Sequence, residues 1–277
     1  MRSIYRYIQA LSLDVALGAT VMSAFIAHFM NVEIGFSIYA SLFTSVWLIY
    51  TIDHLIDARR INGNAESFRH RFHQKNFTKL TILWIVVFLF GTVFSILFLP
   101  EETIKVGLVA VALVIVHLVL VYLLGTRVSI FIQKELGVAF TYCLGVAVGP
   151  VSMSDGVHGF GYFFLGQIFV LALINLLEFS WFDKKLDSRQ GHTSVVRGLG
   201  EKVVLELVFF LFTLFILSMV VAFLFFPHYG KYEILIAIMG AVLFLVFVFQ
   251  NYFAKNDRYR MVGDMVFLLP VLMLFEF

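Results

Sequence analysis

Two stretches of the chain, "IDHLIDARR" from Ile52 to Arg60 and "FDKKLDSRQ" from Phe182 to Gln190, carry one pattern, Asp-x-x-x-Asp-x-Arg. The first supplies Asp53, Asp57 and Arg59; the second supplies Asp183, Asp187 and Arg189, each 130 residues further on. Residues four apart on a helix share a face, so each copy presents two carboxylates together. Like charges at that spacing destabilise an isolated helix by roughly 0.2–0.5 kcal/mol. Each charge carried into lipid costs about 2.5–3.5 kcal/mol more on insertion scales. A hard divalent cation offsets both costs, because carboxylate oxygens suit Mg²⁺, which bridges one or two carboxylates to phosphate oxygens. One pair alone reads as a solvated helix end. Two matched pairs at one membrane face point to a site for Mg²⁺ and a diphosphate.

Each pair closes a long apolar run, and these runs are the elements that must position it. The chain has 277 residues, 61% of them hydrophobic and 14% charged, whereas an average soluble domain is about 25% charged. Apolar runs of about 20 residues, long enough to cross a bilayer core, recur throughout. The alternating segments of a membrane β-barrel, about 10 residues each, are not seen. The expected fold is therefore an all-α integral membrane protein. Nine spans are expected, at Leu11–Met30, Gly35–Ile56, Leu80–Leu99, Val106–Leu124, Leu136–Met153, Phe160–Phe182, Val203–Phe226, Ile234–Phe253 and Met261–Phe277.

Charge sets the expected orientation. Of the 20 Lys and Arg residues, all but Lys105 and Lys231 fall in the N-terminus and in the links after the even-numbered spans. The positive-inside rule makes those segments cytoplasmic, with the N-terminus inside and the C-terminus outside a cell (inner) membrane. Arg2 and Arg6 precede an apolar run with no small-residue cleavage site, which reads as a first span rather than a signal peptide. Cys143 is the only cysteine, which excludes an intrachain disulfide and a thiolate zinc cluster.

Further residues bear on the same face. Arg59, Arg69 and Arg71 follow the first pair, while Lys184 and Arg189 interleave with or follow the second. Guanidinium groups bind phosphate oxygens in bidentate fashion, although positive-inside flanks carry the same residues for topology alone. Tyr50 lies three residues before Asp53 and near its helix face. Asn175 is two helical turns before Asp183 and shares its face approximately, whereas Glu178 is rotated away. Glu178, an ionisable residue inside a span, reads equally as a functional group or as a helix–helix hydrogen bond. His54 and His70 could assist the first pair, but a lone His near a charged loop reads more often as a polar surface residue, and most of the 33 Phe read as packing or lipid-facing residues.

With these residues in place, the chain resembles the UbiA superfamily of intramembrane prenyltransferases. Members have nine transmembrane helices around a central cavity and Asp-rich motifs at the cytoplasmic ends of helices two and six. Their second motif, approximately D-x-x-x-D-x-x-x-G-x-x-T-L-P, is similar to "DKKLDSRQGHTSVVRGLGEK". Asp183, Asp187 and Gly191 match in spacing there, and Thr193 arrives one residue early. A weaker likeness lies in "YLLGTR" ending at Arg127, followed by Gly137, Gly145 and Gly149. The family's first motif is N-D-x-x-D-x-x-x-D; Asp53 and Asp57 match its last two acids, and Ile49 and Tyr50 fill the Asn-Asp places. The following R-T-x-x-R-P is absent, with "FRHRFHQKN" in that loop.

The resemblance implies one domain over residues 1–277 that transfers an isoprenyl group from a prenyl diphosphate to a hydrophobic or aromatic acceptor, with Mg²⁺ as cofactor. It implies metal ligands at Asp53, Asp57, Asp183 and Asp187. Diphosphate contacts would come from Arg59, Arg69, Arg71, Arg127, Lys184 and Arg189, with Tyr50 and Asn175 as accessory residues. The bilayer is the expected surrounding, and no nucleic-acid partner is expected. The alternative is a non-catalytic membrane protein or cation-coupled transporter with a degenerate prenyltransferase-like site.

Overall fold

The computed structural model describes residues 2–60, 67–124, 129–157, 159–190 and 194–273. Among these the chain is helical throughout, with no strand. A short amphipathic helix, α1 (Arg2–Ala10), leads through left-handed Ser12 into α2 (Leu13–Met30), which ends on left-handed Asn31. Asn tolerates that conformation, and its N–H reaches the carbonyls of Ala27 and His28, satisfying groups that a helix end leaves open. The next elements are α3 (Phe36–Arg60), α4 (Phe68–Lys75), α5 (Phe77–Phe98) and α6 (Glu101–Leu124). They are followed by α7 (Ser129–Ser152), α8 (Gly159–Gln190), α9 (Val195–Leu199), α10 (Glu201–Phe225), α11 (Gly230–Val248), α12 (Gln250–Phe253) and α13 (Arg258–Met265). A 3₁₀ stretch, Val266–Met273, continues α13 and contains Pro270.

Among the described residues, seven helices are long and apolar enough to cross a membrane: Leu13–Met30, Phe36–Arg59, Phe77–Phe98, Glu135–Ser152, Gly159–Leu186, Glu201–Phe225 and Pro227–Val248. They correspond to seven of the expected spans. The expected span Val106–Leu124 lies within α6, part of whose side chains fall outside the described residues. The expected span Met261–Phe277 begins in α13 and continues through the 3₁₀ stretch to the end of the described chain.

Apolar content does not separate centre from periphery, but packing does. The apolar stretch of α8 is 61% buried, whereas that of α5 is only 6% buried. Accordingly α8 contributes Phe164, Ile168, Leu171, Ile174 and Leu177 to the shared core, while α5 fully buries only Leu80. In lipid, helices associate through close packing and hydrogen bonds rather than through the hydrophobic effect. Small residues mark the close approaches. Gly18 of α2 lies against Phe267 and the Asp264 carbonyl, and Gly263 of α13 lies against Asn175 and Phe179 of α8.

Candidate functional site

Gly263 explains how the second carboxylate pair acquires partners. A Cβ at that position would stand 2.6 and 2.9 Å from ring carbons of Phe179 and closer still to Asn175 Oδ1, so only glycine lets α13 approach α8 this closely. About one turn earlier on α13 come Tyr259 and Arg260. The Tyr259 hydroxyl donates to Asp183 Oδ1 and Arg260 Nη2 donates to Asp183 Oδ2. The contact is stacked from above, since the Phe182 and Tyr259 rings lie 4.4 Å apart at 14°. Arg260 also donates from Nε to the Tyr259 hydroxyl at 3.3 Å, and its guanidinium stands 5.1 Å from the Phe179 ring centroid.

Further charges converge on this end of the bundle. Asp264 is one turn beyond Arg260, and Asp14 is one turn before Gly18, where α2 meets α13. Asp14 accepts a hydrogen bond of 3.1 Å from the Tyr5 hydroxyl of α1. The helix α4 lies alongside α1 and α3: Ser67 Oγ caps it by accepting from the His70 N–H at 3.2 Å, and Gln74 Nε2 donates to the Ala58 carbonyl at 3.1 Å. This fixes Arg69 within electrostatic range of Arg260, Asp183, Asp264 and Asp53. His54 and His70 are buried rather than at the surface. The imidazoles of His54 and His73 pack 5.2 Å apart, with His54 Nε2 3.1 Å from Ser12 Oγ and His73 Nδ1 donating to the Arg69 carbonyl at 2.9 Å.

Electrostatics follows from this crowding. Burial lowers the Arg69 pKa, and Arg260 pushes it the same way against Asp183, Asp264 and Asp53. Burial also works against the Arg260 charge, but Asp183, Tyr259 and Asp264 outweigh it and raise the pKa above the ordinary arginine value. Burial raises the Tyr259 pKa, so the phenol stays protonated and acts as a donor to Asp183. Burial likewise lowers the His73 pKa, with Arg69 acting in the same direction and the carbonyl hydrogen bond opposing it.

The expected site residues are distributed unevenly around this cluster. Asp183 is buried at its centre, Arg69 is half-buried beside it, and Tyr50 feels the charges of Asp264, Asp53, Arg69 and Asp14. Asn175 faces α13 at Gly263, the same helix that meets Asp183. Asp53 is exposed, 4.0 Å from His54 Nδ1, and Asp57 is half-exposed one turn further along α3. Arg59 lies over the Phe77 ring at 5.8 Å, and Arg71 is exposed. Lys184 pairs with Glu201 at 2.7 Å and lies 3.8 Å from the Trp181 ring centroid. Arg127 and the side chains of Asp187 and Arg189 lie outside the described residues.

Sequence reasoning missed Tyr259, Arg260, Asp264 and Asp14. Asp14 and Asp264 carried a usable signal, since an acid inside an expected span is a functional candidate. Arg260 did not, because a basic residue beside a span reads as a topology signal.

The fold and this cluster define an all-helical, multi-pass membrane protein with a buried ionic site at one end of an apolar bundle. Compared with protein-family models, curated proteins and solved structures, the chain matches none. The family resemblance thus rests on the expected topology and the motif spacing of the sequence.

Proposed function

We propose that the chain is an intramembrane prenyltransferase of nine spans, with the N-terminus cytoplasmic, that moves an isoprenyl group from a prenyl diphosphate to a hydrophobic or aromatic acceptor. The observation that carries this reading is the ionic cluster of buried Asp183 and Tyr259 with half-buried Arg260 and Arg69 at the end of an apolar helix bundle. Such an end suits an amphiphile with an anionic head and a long hydrocarbon tail. In the reaction the allylic C–O bond breaks with its electron pair leaving on the diphosphate. The acceptor nucleophile bonds to C1 and releases its proton. Arg69 and Arg260 supply positive charge where negative charge develops on the leaving group, which lowers the barrier to ionisation. The α1, α4 and α13 segments around them restrict water, protecting the cation from hydrolysis.

The expected Mg²⁺ needs a donor set, and the described side chains do not form one around Asp183. Both of its oxygens are taken by Tyr259 and Arg260, and among the described residues no three ligating side chains converge. Pyrophosphate release from C10, C15 and C20 prenyl diphosphates, assayed with protein in nanodiscs and a membrane-lipid extract as acceptor source, tests the reading. Release that depends on the extract supports it. No release with any chain length, with and without Mg²⁺, overturns it.

One observation favours the second reading, a transporter. Glu178 and Glu233 are buried within spans, and among the described residues neither oxygen of Glu178 has a hydrogen-bond partner. Ion flux into proteoliposomes that is lost in Glu178→Gln, without pyrophosphate release, would favour it.

A further inference from the structure

Arg260 stands where the expected metal cluster would begin. Its guanidinium and the Tyr259 hydroxyl each take one oxygen of Asp183, so the chain itself satisfies this carboxylate. The orientation of Arg260 is fixed by the Tyr259 hydroxyl at 3.3 Å and by the Phe179 ring. Across the cluster, Arg69 projects from α4, an element tied to α3 by the Gln74 side chain. Two like charges therefore lie within electrostatic range of one another in surroundings that disfavour charge, and each lowers its energy when a polyanion binds near both. The planar guanidinium fork matches phosphate oxygens, two at a time.

Resting on the prenyl-transfer reading, we infer that Arg260 and Arg69 bind the diphosphate group directly and replace the divalent metal in neutralising it, Arg260 exchanging Asp183 for the diphosphate. The exchange is charge for charge. Arg260 leaves a carboxylate for a phosphate, and Asp183 keeps the Tyr259 hydroxyl as its donor. Asp183 is then a competitor of the substrate rather than a ligand of its metal. Loss of its charge strengthens metal-free binding, the opposite of what loss of a metal ligand does.

The test uses the full chain in nanodiscs and a non-hydrolysable farnesyl diphosphate analogue, titrated in excess EDTA and again with Mg²⁺. The parent binds in EDTA with a Kd within about tenfold of its Mg²⁺ value. Arg260→Gln and Arg69→Gln each weaken binding in EDTA by about tenfold to 150-fold, the loss of charge-assisted hydrogen bonds. Asp183→Asn tightens binding in EDTA by about threefold or more. A misfolded variant loses binding, so the opposite sign of Asp183→Asn separates the inference from general damage. If that variant does not fold, the parent titration and Arg69→Gln decide. Binding by the parent only when Mg²⁺ is present overturns the inference and leaves the prenyl diphosphate reading standing. So does weaker binding in a folded Asp183→Asn variant. No binding in either condition overturns both.

Discussion

Gly263→Ala is the smallest change that separates α13 from α8, and its effect follows from the packing. The added methyl would lie 2.6 and 2.9 Å from Phe179 ring carbons and closer to Asn175 Oδ1, where ordinary contacts are 3.4–4 Å. Relief needs a shift of about 1 Å, shared between the helices and the Phe179 ring, and overpacking of this kind costs about 1–3 kcal/mol. Alanine returns up to about 1 kcal/mol through its higher helix propensity. The net expectation is a loss of roughly 0–3 kcal/mol with a weakened Arg260–Asp183 contact. Gly145→Ala is the control, because nothing lies within 4 Å of a Cβ there. It should be neutral or stabilising by up to about 1 kcal/mol. Thermal unfolding in detergent compares the two, and Gly263→Ala should unfold at the lower temperature. Phe179→Leu in the Gly263→Ala background should recover part of the difference. Equal unfolding temperatures for the two glycine variants would refute the reasoning that this glycine sets the helix approach.

Other expectations follow from the same cluster and from the topology. Asp183→Asn and Arg260→Gln should be coupled, the double variant losing less stability than the sum of the singles by about 0.5–3 kcal/mol in a thermal-unfolding cycle; strict additivity would mean the ion pair contributes nothing. His73 has a lowered folded-state pKa, so the unfolded chain binds its proton more readily. Its contribution is complete above the unfolded value of about 6.5 and declines as pH falls through that value. The unfolding temperature should accordingly drop from pH 7.5 to pH 5, and by less in His73→Gln. With Cys143 replaced, an impermeant thiol reagent on intact cells should label a cysteine at Asp155 and spare one at Lys75; the reverse pattern would invert the orientation.

What the sequence revealed is what local pattern can carry. Uniform apolar runs located the membrane-crossing helices, because length and hydropathy alone decide whether a helix can span. The four-residue spacing put Asp53 with Asp57 on one helix face. The partners of Asp183 were not legible in this way. Tyr259 lies 76 residues downstream, on a short helix whose approach depends on Gly263, and no periodicity links the two segments. The centrality of α8 and the peripheral place of α5 were equally hidden, since both read as strongly apolar. Arg69 stood out only as one basic residue among several in its loop. Its place beside Arg260 arises from the Ser67 cap and the Gln74 tie that fix α4 against α3.

The most direct measurement is photo-crosslinking with a prenyl diphosphate that carries a photoreactive group on the diphosphate end. Labelling of the protein in nanodiscs is read by peptide mapping, with inorganic pyrophosphate as competitor. The expected result is saturable, competed labelling of the segments Phe68–Lys75 and Arg258–Met265, reduced in Arg69→Gln. Labelling that does not saturate, or that falls at the opposite end of the bundle around Gln167 and Glu233, would contradict a diphosphate site at the Asp183–Arg260 cluster.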